Sequence, residues 1–159
     1  MQKKKQNVSV RMSESDLQRI KDIAQRMKVR DSDVFRFAIK NTLAKLTPLN
    51  DSQIRGKDLL PVFADCGAEL TNYFDLDISR LEMIINAGVE DPQNLVDRED
   101  IELLAMVGIQ EEYVYMRLKK LLQKNPDKKA VASVLREYLL EKYIGGMHVN
   151  AGNEMAEIA

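Results

Sequence analysis

A chain of 159 residues can form one domain or two small ones, and length alone does not decide between them. The net charge of −1 conceals an asymmetry: residues 1–47 carry twelve Lys and Arg against five Asp and Glu, a net of +7, whereas residues 48–159 carry twelve against twenty, a net of −8. No apolar run is long enough to span a bilayer, the Met-Gln-Lys-Lys-Lys start is not followed by the apolar core of a signal peptide, and Cys66 has no second cysteine to pair with, so a soluble, cytoplasmic protein without a membrane partner or an intrachain disulfide is expected.

The basic head begins with Lys3, Lys4 and Lys5, which are placed to run beside a phosphate backbone and give binding a salt dependence. In Asn7 to Met12 the apolar residues Val8, Val10 and Met12 alternate with Asn7, Ser9 and Arg11, the pattern of a strand with one apolar and one polar face. A strand this short cannot satisfy its own backbone groups, so it calls for a partner, most simply the same strand of a second copy. Asn and Arg side chains match the major-groove edges of adenine and guanine, and a two-stranded ribbon is narrow enough to enter that groove. Ser13 and Asp16 have capping-box spacing, and Leu17, Ile20, Ile23, Ala24 and Met27 follow at helical period. A second helix is expected over about 32–46, where Val34, Phe35, Phe37, Ala38, Ile39, Leu43 and Leu46 cover more than one stripe. Such a surface would be overexposed in a monomer and buried in an intertwined dimer.

This order of strand, Ser13-Glu14-Ser15-Asp16, helix, short turn and helix resembles the ribbon-helix-helix fold of the Arc, methionine and CopG-type repressors over residues 5–47. The resemblance implies an antiparallel ribbon formed by two chains, with Asn7, Ser9 and Arg11 reading bases and Val8, Val10 and Met12 on its core side. It also implies a dimer core completed by Leu17, Ile20, Val34, Phe37 and Ala38, and a DNA phosphate held near Arg30, the Asp31 backbone and Ser32; Lys3, Lys4 and Lys5 are expected as further phosphate contacts on charge and position alone. The turn departs from the family pattern. Lys28 stands in place of Gly, Arg30 stands where the cap would be, and Asp31 and Asp33 would repel a phosphate there.

Residues 48–58, polar with Pro48 and Gly56, read as a linker, and residues 59–146 as a helical domain. Its expected helices run from Leu59 to about Phe74, from an Asp77 cap to Ala87, from an Asp97 cap with Asp100 three residues on to Gly108, from about Glu111 to Lys124, and from Asn125-Pro126 through Ile144. Residues 147–159 lack periodicity and read as a flexible tail. Leu81 to Leu122 faintly resembles sterile-alpha-motif or helix-hairpin-helix domains, but Gly108-Ile109-Gln110 lacks the second Gly of a DNA-binding hairpin.

The carboxylates Asp75, Asp77, Glu82, Glu90, Asp91, Asp97, Glu99 and Asp100 fall mostly at caps and outward positions, and no hydrolase, metalloprotease, P-loop or dinucleotide motif is present. With one Cys, Cys66, and one His, His148, far apart, no metal site, cofactor or catalytic residue is expected. The expected fold class is mainly α, a ribbon-helix-helix head followed by an all-α domain. The expected function is a homodimeric, sequence-specific transcriptional regulator of double-stranded DNA, a repressor, reading the major groove with its ribbon. The acidic body should stand away from the duplex, mediate higher-order assembly, or bind a protein or small-molecule effector. The alternative is a plasmid maintenance, transfer or antitoxin-type protein whose C-terminal domain recruits a protein partner.

Overall fold

The computed structural model describes residues 3–145, and the expected tail, with His148, lies outside them. The chain divides into two compact units, Met1–Leu46 and Thr47–Ala159. The expected ribbon is corrected: residues 3–12 have no regular secondary structure, and among the described residues the fold is all-helical with no strand. Alternation decides which side chains would share a face, but a strand exists only where a second backbone accepts its hydrogen bonds, and no other segment of the described chain supplies one. Val8 and Val10 are accordingly 84% and 78% exposed instead of forming the apolar underside of a sheet.

In the first unit, α1 spans Glu14–Met27 and packs against α2, Asp31–Leu46. Ser13 caps α1 as its sequence signature predicts, its Oγ accepting the Asp16 N–H at 3.1 Å. The helix stops at Lys28, which adopts the left-handed conformation (φ 56°, ψ 42°) while the Val29 N–H returns to the Ala24 carbonyl. A lysine thus occupies a backbone position that favours glycine. α2 opens on a reciprocal contact: the Arg30 carbonyl accepts the Asp33 N–H at 3.0 Å, and the Asp33 carboxylate accepts the Arg30 N–H at 3.2 Å.

The second unit begins with two 3₁₀ turns, Thr47–Asn50 and Gly56–Leu59, followed by α3, Leu60–Tyr73. Residues expected to be a linker are therefore built into the fold. The Arg55 guanidinium donates to the carbonyls of Ser52 and Gly88, each at 2.7 Å, and Gly56 is buried with φ 59° against the Asn94 carbonyl. Pro61 lies in the first turn of α3, where its missing N–H costs nothing, and Gly67 (φ 56°, ψ −149°) breaks the helix at mid-length. α4, Ile78–Asn86, is capped by Asp77, whose carboxylate accepts the Arg80 N–H at 2.8 Å. The Asn86 side chain then clamps the far end of the following loop, donating to the Val96 carbonyl at 2.8 Å and accepting the Val96 N–H at 3.0 Å.

α5 covers Arg98–Met106, α6 Glu111–Leu122 and α7 Val131–Tyr143. The last helix starts five residues after Pro126, not at it. Asp127 accepts the Lys129 N–H at 2.9 Å through its side chain and the Ala130 N–H through its carbonyl, and this local turn outcompetes the helix, while Pro126 is buried. α3 packs against both α5 and α7, and α4 and α6 flank α5. Leu60, Phe63, Leu81, Ile85, Ile101, Leu104, Val114, Leu118, Leu135 and Leu139 form one continuous core.

Candidate nucleic-acid interface

The expected DNA-facing residues Lys3, Lys4, Lys5, Asn7, Ser9 and Arg11 are all exposed in the segment that precedes α1, as are Val8, Val10 and Met12. Among the described residues, Arg19, Arg30 and Arg36 are the basic side chains of this unit in ion pairs; Lys3, Lys4, Lys5, Arg11, Lys21, Arg26, Lys28, Lys40 and Lys45 have no carboxylate within reach. A net charge of +7 on 47 residues is thus largely uncompensated inside the unit. That is the electrostatic condition for attracting a polyanion.

The expected phosphate anchor at the start of α2 is differently arranged. Asp33 accepts from the Arg30 Nε at 3.1 Å and Nη2 at 3.1 Å, and from Arg36 Nη1 at 3.3 Å. The hydrogen bond from Arg30 holds the Asp33 carboxyl below the usual range, so the chain's own carboxylate sits as an anion beside the N–H groups a phosphate would need. Arg30 is committed to Asp33, while Asp31 and Ser32 are exposed in the first turn.

The apolar residues expected in a dimer core are not buried within one chain. Ile20 and Val34 are half-buried, and Leu17, Phe37 and Ala38 are exposed, with Phe37 at 71%; the buried residue among those described in this unit is Ala24, at 1% exposure, outside that expected set. Ile39 and Leu43 are exposed too.

In the second unit the sequence signals missed a polar cluster. Asp100, read as a helix-start carboxylate, is 2% exposed and accepts from Tyr138 Oη at 3.0 Å, Lys142 Nζ at 2.7 Å and the Tyr143 hydroxyl. Asp97, read as the cap, makes no side-chain cap. Its carboxylate takes Lys142 Nζ at 2.9 Å, and its N–H donates to Tyr143 Oη at 2.9 Å. The hydrogen bond from Lys142 holds Asp97 below the usual carboxylate range. Burial alone would lower the Lys142 pKa, but its hydrogen bonds to Asp100 and Asp97 reverse that and hold it above the ordinary lysine value. Burial and the bond to Asp100 push Tyr143 up, and burial with the nearby Asp100 charge pushes Tyr138 up. Every member has a partner and each partner belongs to α5 or α7 or the residue before α5. The cluster therefore fastens α5 to α7. The signal available in the sequence was Tyr138 and Lys142 at i and i+4 on one face of α7.

Among the described residues no three His, Cys, Asp or Glu side chains gather to hold a metal ion, and no helix is long and apolar enough to cross a membrane. Cys66 is half-buried in α3. The chain matches no family model, no curated protein and no solved structure. The likeness of residues 5–47 to the ribbon-helix-helix pattern is therefore one of residue order.

Proposed function

We propose that the chain is a homodimeric DNA-binding transcriptional regulator, acting as a repressor, whose basic first unit holds the duplex. The observation that carries this reading is the pairing, in one small unit, of nine uncompensated basic side chains with an apolar surface that one chain leaves open. A helix pair of about this size cannot stabilise itself on a single buried alanine, because domains this small bury too little surface when alone. A second copy supplies the cover, placing α2 against α2 through Phe37, Ile39 and Leu43, and doubles the positive charge presented to DNA.

In this arrangement residues 3–12 act as an arm. Lys3, Lys4 and Lys5 neutralise phosphates, and Asn7, Ser9 and Arg11 meet base edges, Arg11 by the bidentate geometry that suits guanine. The test is the salt dependence of duplex binding. Replacing Lys3, Lys4 and Lys5 together by Gln should flatten the slope of log K against log salt by roughly 0.9 for each phosphate that is no longer neutralised. An unchanged slope would remove the arm from the interface.

A further inference from the structure

The acidic second unit concentrates its unpaired positive charge in one place. Of its twelve Lys and Arg, six have an acceptor inside the unit: Arg55 on backbone carbonyls, Arg80 on the Asp75 carbonyl, Arg98 with Glu82, Arg117 with Glu99, Arg136 with Asp65, and Lys142 with Asp97 and Asp100. Among the described residues, five of the other six fall between positions 119 and 129, where Lys119, Lys120, Lys124, Lys128 and Lys129 lie exposed and in no ion pair. Asp127 is the one carboxylate in that run, and it is occupied in its own turn.

Geometry gathers these lysines. Met116, Lys119, Lys120 and Gln123 recur at the spacing of one helix face, and with Lys124 and Asn125 they line a shallow groove of about 490 Å³. Lys128 is held from the other side of the turn by the Tyr115 ring, its Nζ 5.0 Å from the ring centroid. A helix C-terminus accounts for Lys119 and Lys120 through the macrodipole, but not for Lys124, Lys128 and Lys129, which lie beyond the end of α6. The carboxylates of Glu137 and Glu141 share a neighbouring groove with Lys124 without pairing with it.

We propose that the end of α6 and the turn into α7 form a second, sequence-independent contact for the phosphate backbone of duplex nucleic acid. Lysine is a flexible point charge without the planar fork of arginine, which suits neutralisation of phosphates and not the reading of bases. A membrane surface is disfavoured, because an interfacial helix needs an apolar face free to enter lipid, and the opposite face of α6 is spent on the core through Val114, Tyr115 and Leu118. An acidic peptide is disfavoured by the groove, whose one apolar lining residue is Met116. The body is thereby not simply repelled by DNA, as its net charge suggests. It presents one face that is attracted.

The experiment uses the full chain with Lys120→Gln, Lys124→Gln and Lys128→Gln combined, beside a charge-matched control with Gln53→Glu, Ser79→Glu and Gln93→Glu. Thermal unfolding followed by tyrosine fluorescence confirms that both remain folded; a lysine variant that has lost its fold is replaced by Lys119→Gln with Lys124→Gln and Lys129→Gln. Binding to a random-sequence 40-base-pair duplex is then measured against salt. The expected result is a salt slope lower by roughly 2 to 3 and an affinity at least about tenfold weaker at 0.1 M salt for the lysine variant, with the slope of the control unchanged. Equal loss in both variants would reduce the effect to net charge and overturn the proposal. So would an unchanged slope, absence of duplex binding by the wild-type chain, or a lysine-dependent affinity found on phosphatidylserine vesicles or a poly-glutamate peptide but not on DNA.

Discussion

Asp100→Asn is the sharpest perturbation of the second unit, because it keeps the shape of the side chain and removes its charge. Asp100 Oδ1 can still accept from Tyr138, but the new amide NH₂ faces Lys142 and Tyr143, so two acceptor positions become donor against donor. Hydrogen bonds to a charged group contribute about 1.5–3 kcal/mol each. Lys142 keeps Asp97 and its side chain is 38% exposed, so solvent recovers part of its loss. The net cost is about 2–4 kcal/mol, which at this size lowers Tm by roughly 10 °C. All five tyrosines, Tyr73, Tyr113, Tyr115, Tyr138 and Tyr143, lie in the second unit and the chain has no tryptophan, so tyrosine fluorescence in urea follows that unit alone. The pH dependence supplies a second readout. Lys142 and Tyr143 are both held above their ordinary values, so their contribution is complete below about pH 10 and is lost as pH rises beyond it. Wild type should therefore lose stability on the alkaline limb faster than Asp100→Asn. A cost under about 1 kcal/mol together with parallel alkaline limbs would refute the fastening role.

Three other outcomes follow from the geometry. Gly56→Ala should destabilise the second unit by about 2–4 kcal/mol, since the backbone is left-handed there and a Cβ would lie 2.0 Å from the Asn94 carbonyl oxygen; urea denaturation checks this. Lys28→Gly should leave the first unit as stable or raise its stability by up to about 1 kcal/mol, because relief of the left-handed strain outweighs the entropy glycine adds to the unfolded chain; circular dichroism melting of the two proteins decides. Phe37→Glu should shift the full chain from dimer to monomer in sedimentation at micromolar concentration, and an unshifted dimer would place the interface elsewhere.

The helices of both units were legible where a cap and a stop bracket a periodic run. Ser13, Asp77 and the apolar period through Leu81 and Ile85 all mean in the structure what they mean in the sequence. The failures share a cause. A local signature was compatible with two outcomes, and a contact outside that signature decided between them. Alternation from Asn7 to Met12 looks like a strand, but pairing needs a second backbone. Asp97 and Asp100 have the spacing of a helix start, yet their carboxylates serve Lys142, Tyr138 and Tyr143 some forty residues away. Asn125-Pro126 fits a helix start equally well, and Asp127 turns the chain before one forms. For the candidate interface, Lys3, Lys4, Lys5, Asn7, Ser9 and Arg11 are exposed on a segment without regular structure and not on the expected ribbon, and the engagement of Arg30 by Asp33 depends on side-chain geometry that spacing does not encode.

Sequence-specific DNA binding by the first unit is the central claim, and selection from a pool of random duplexes tests it most directly. The full chain should enrich a short, partly palindromic motif, as two symmetry-related copies require. Arg11→Ala should then lose about 1–3 kcal/mol on that motif and far less on random DNA, while Lys4→Ala weakens both alike. A pool that shows no enrichment, or an Arg11→Ala protein that loses equally on the selected and random duplexes, would contradict the account.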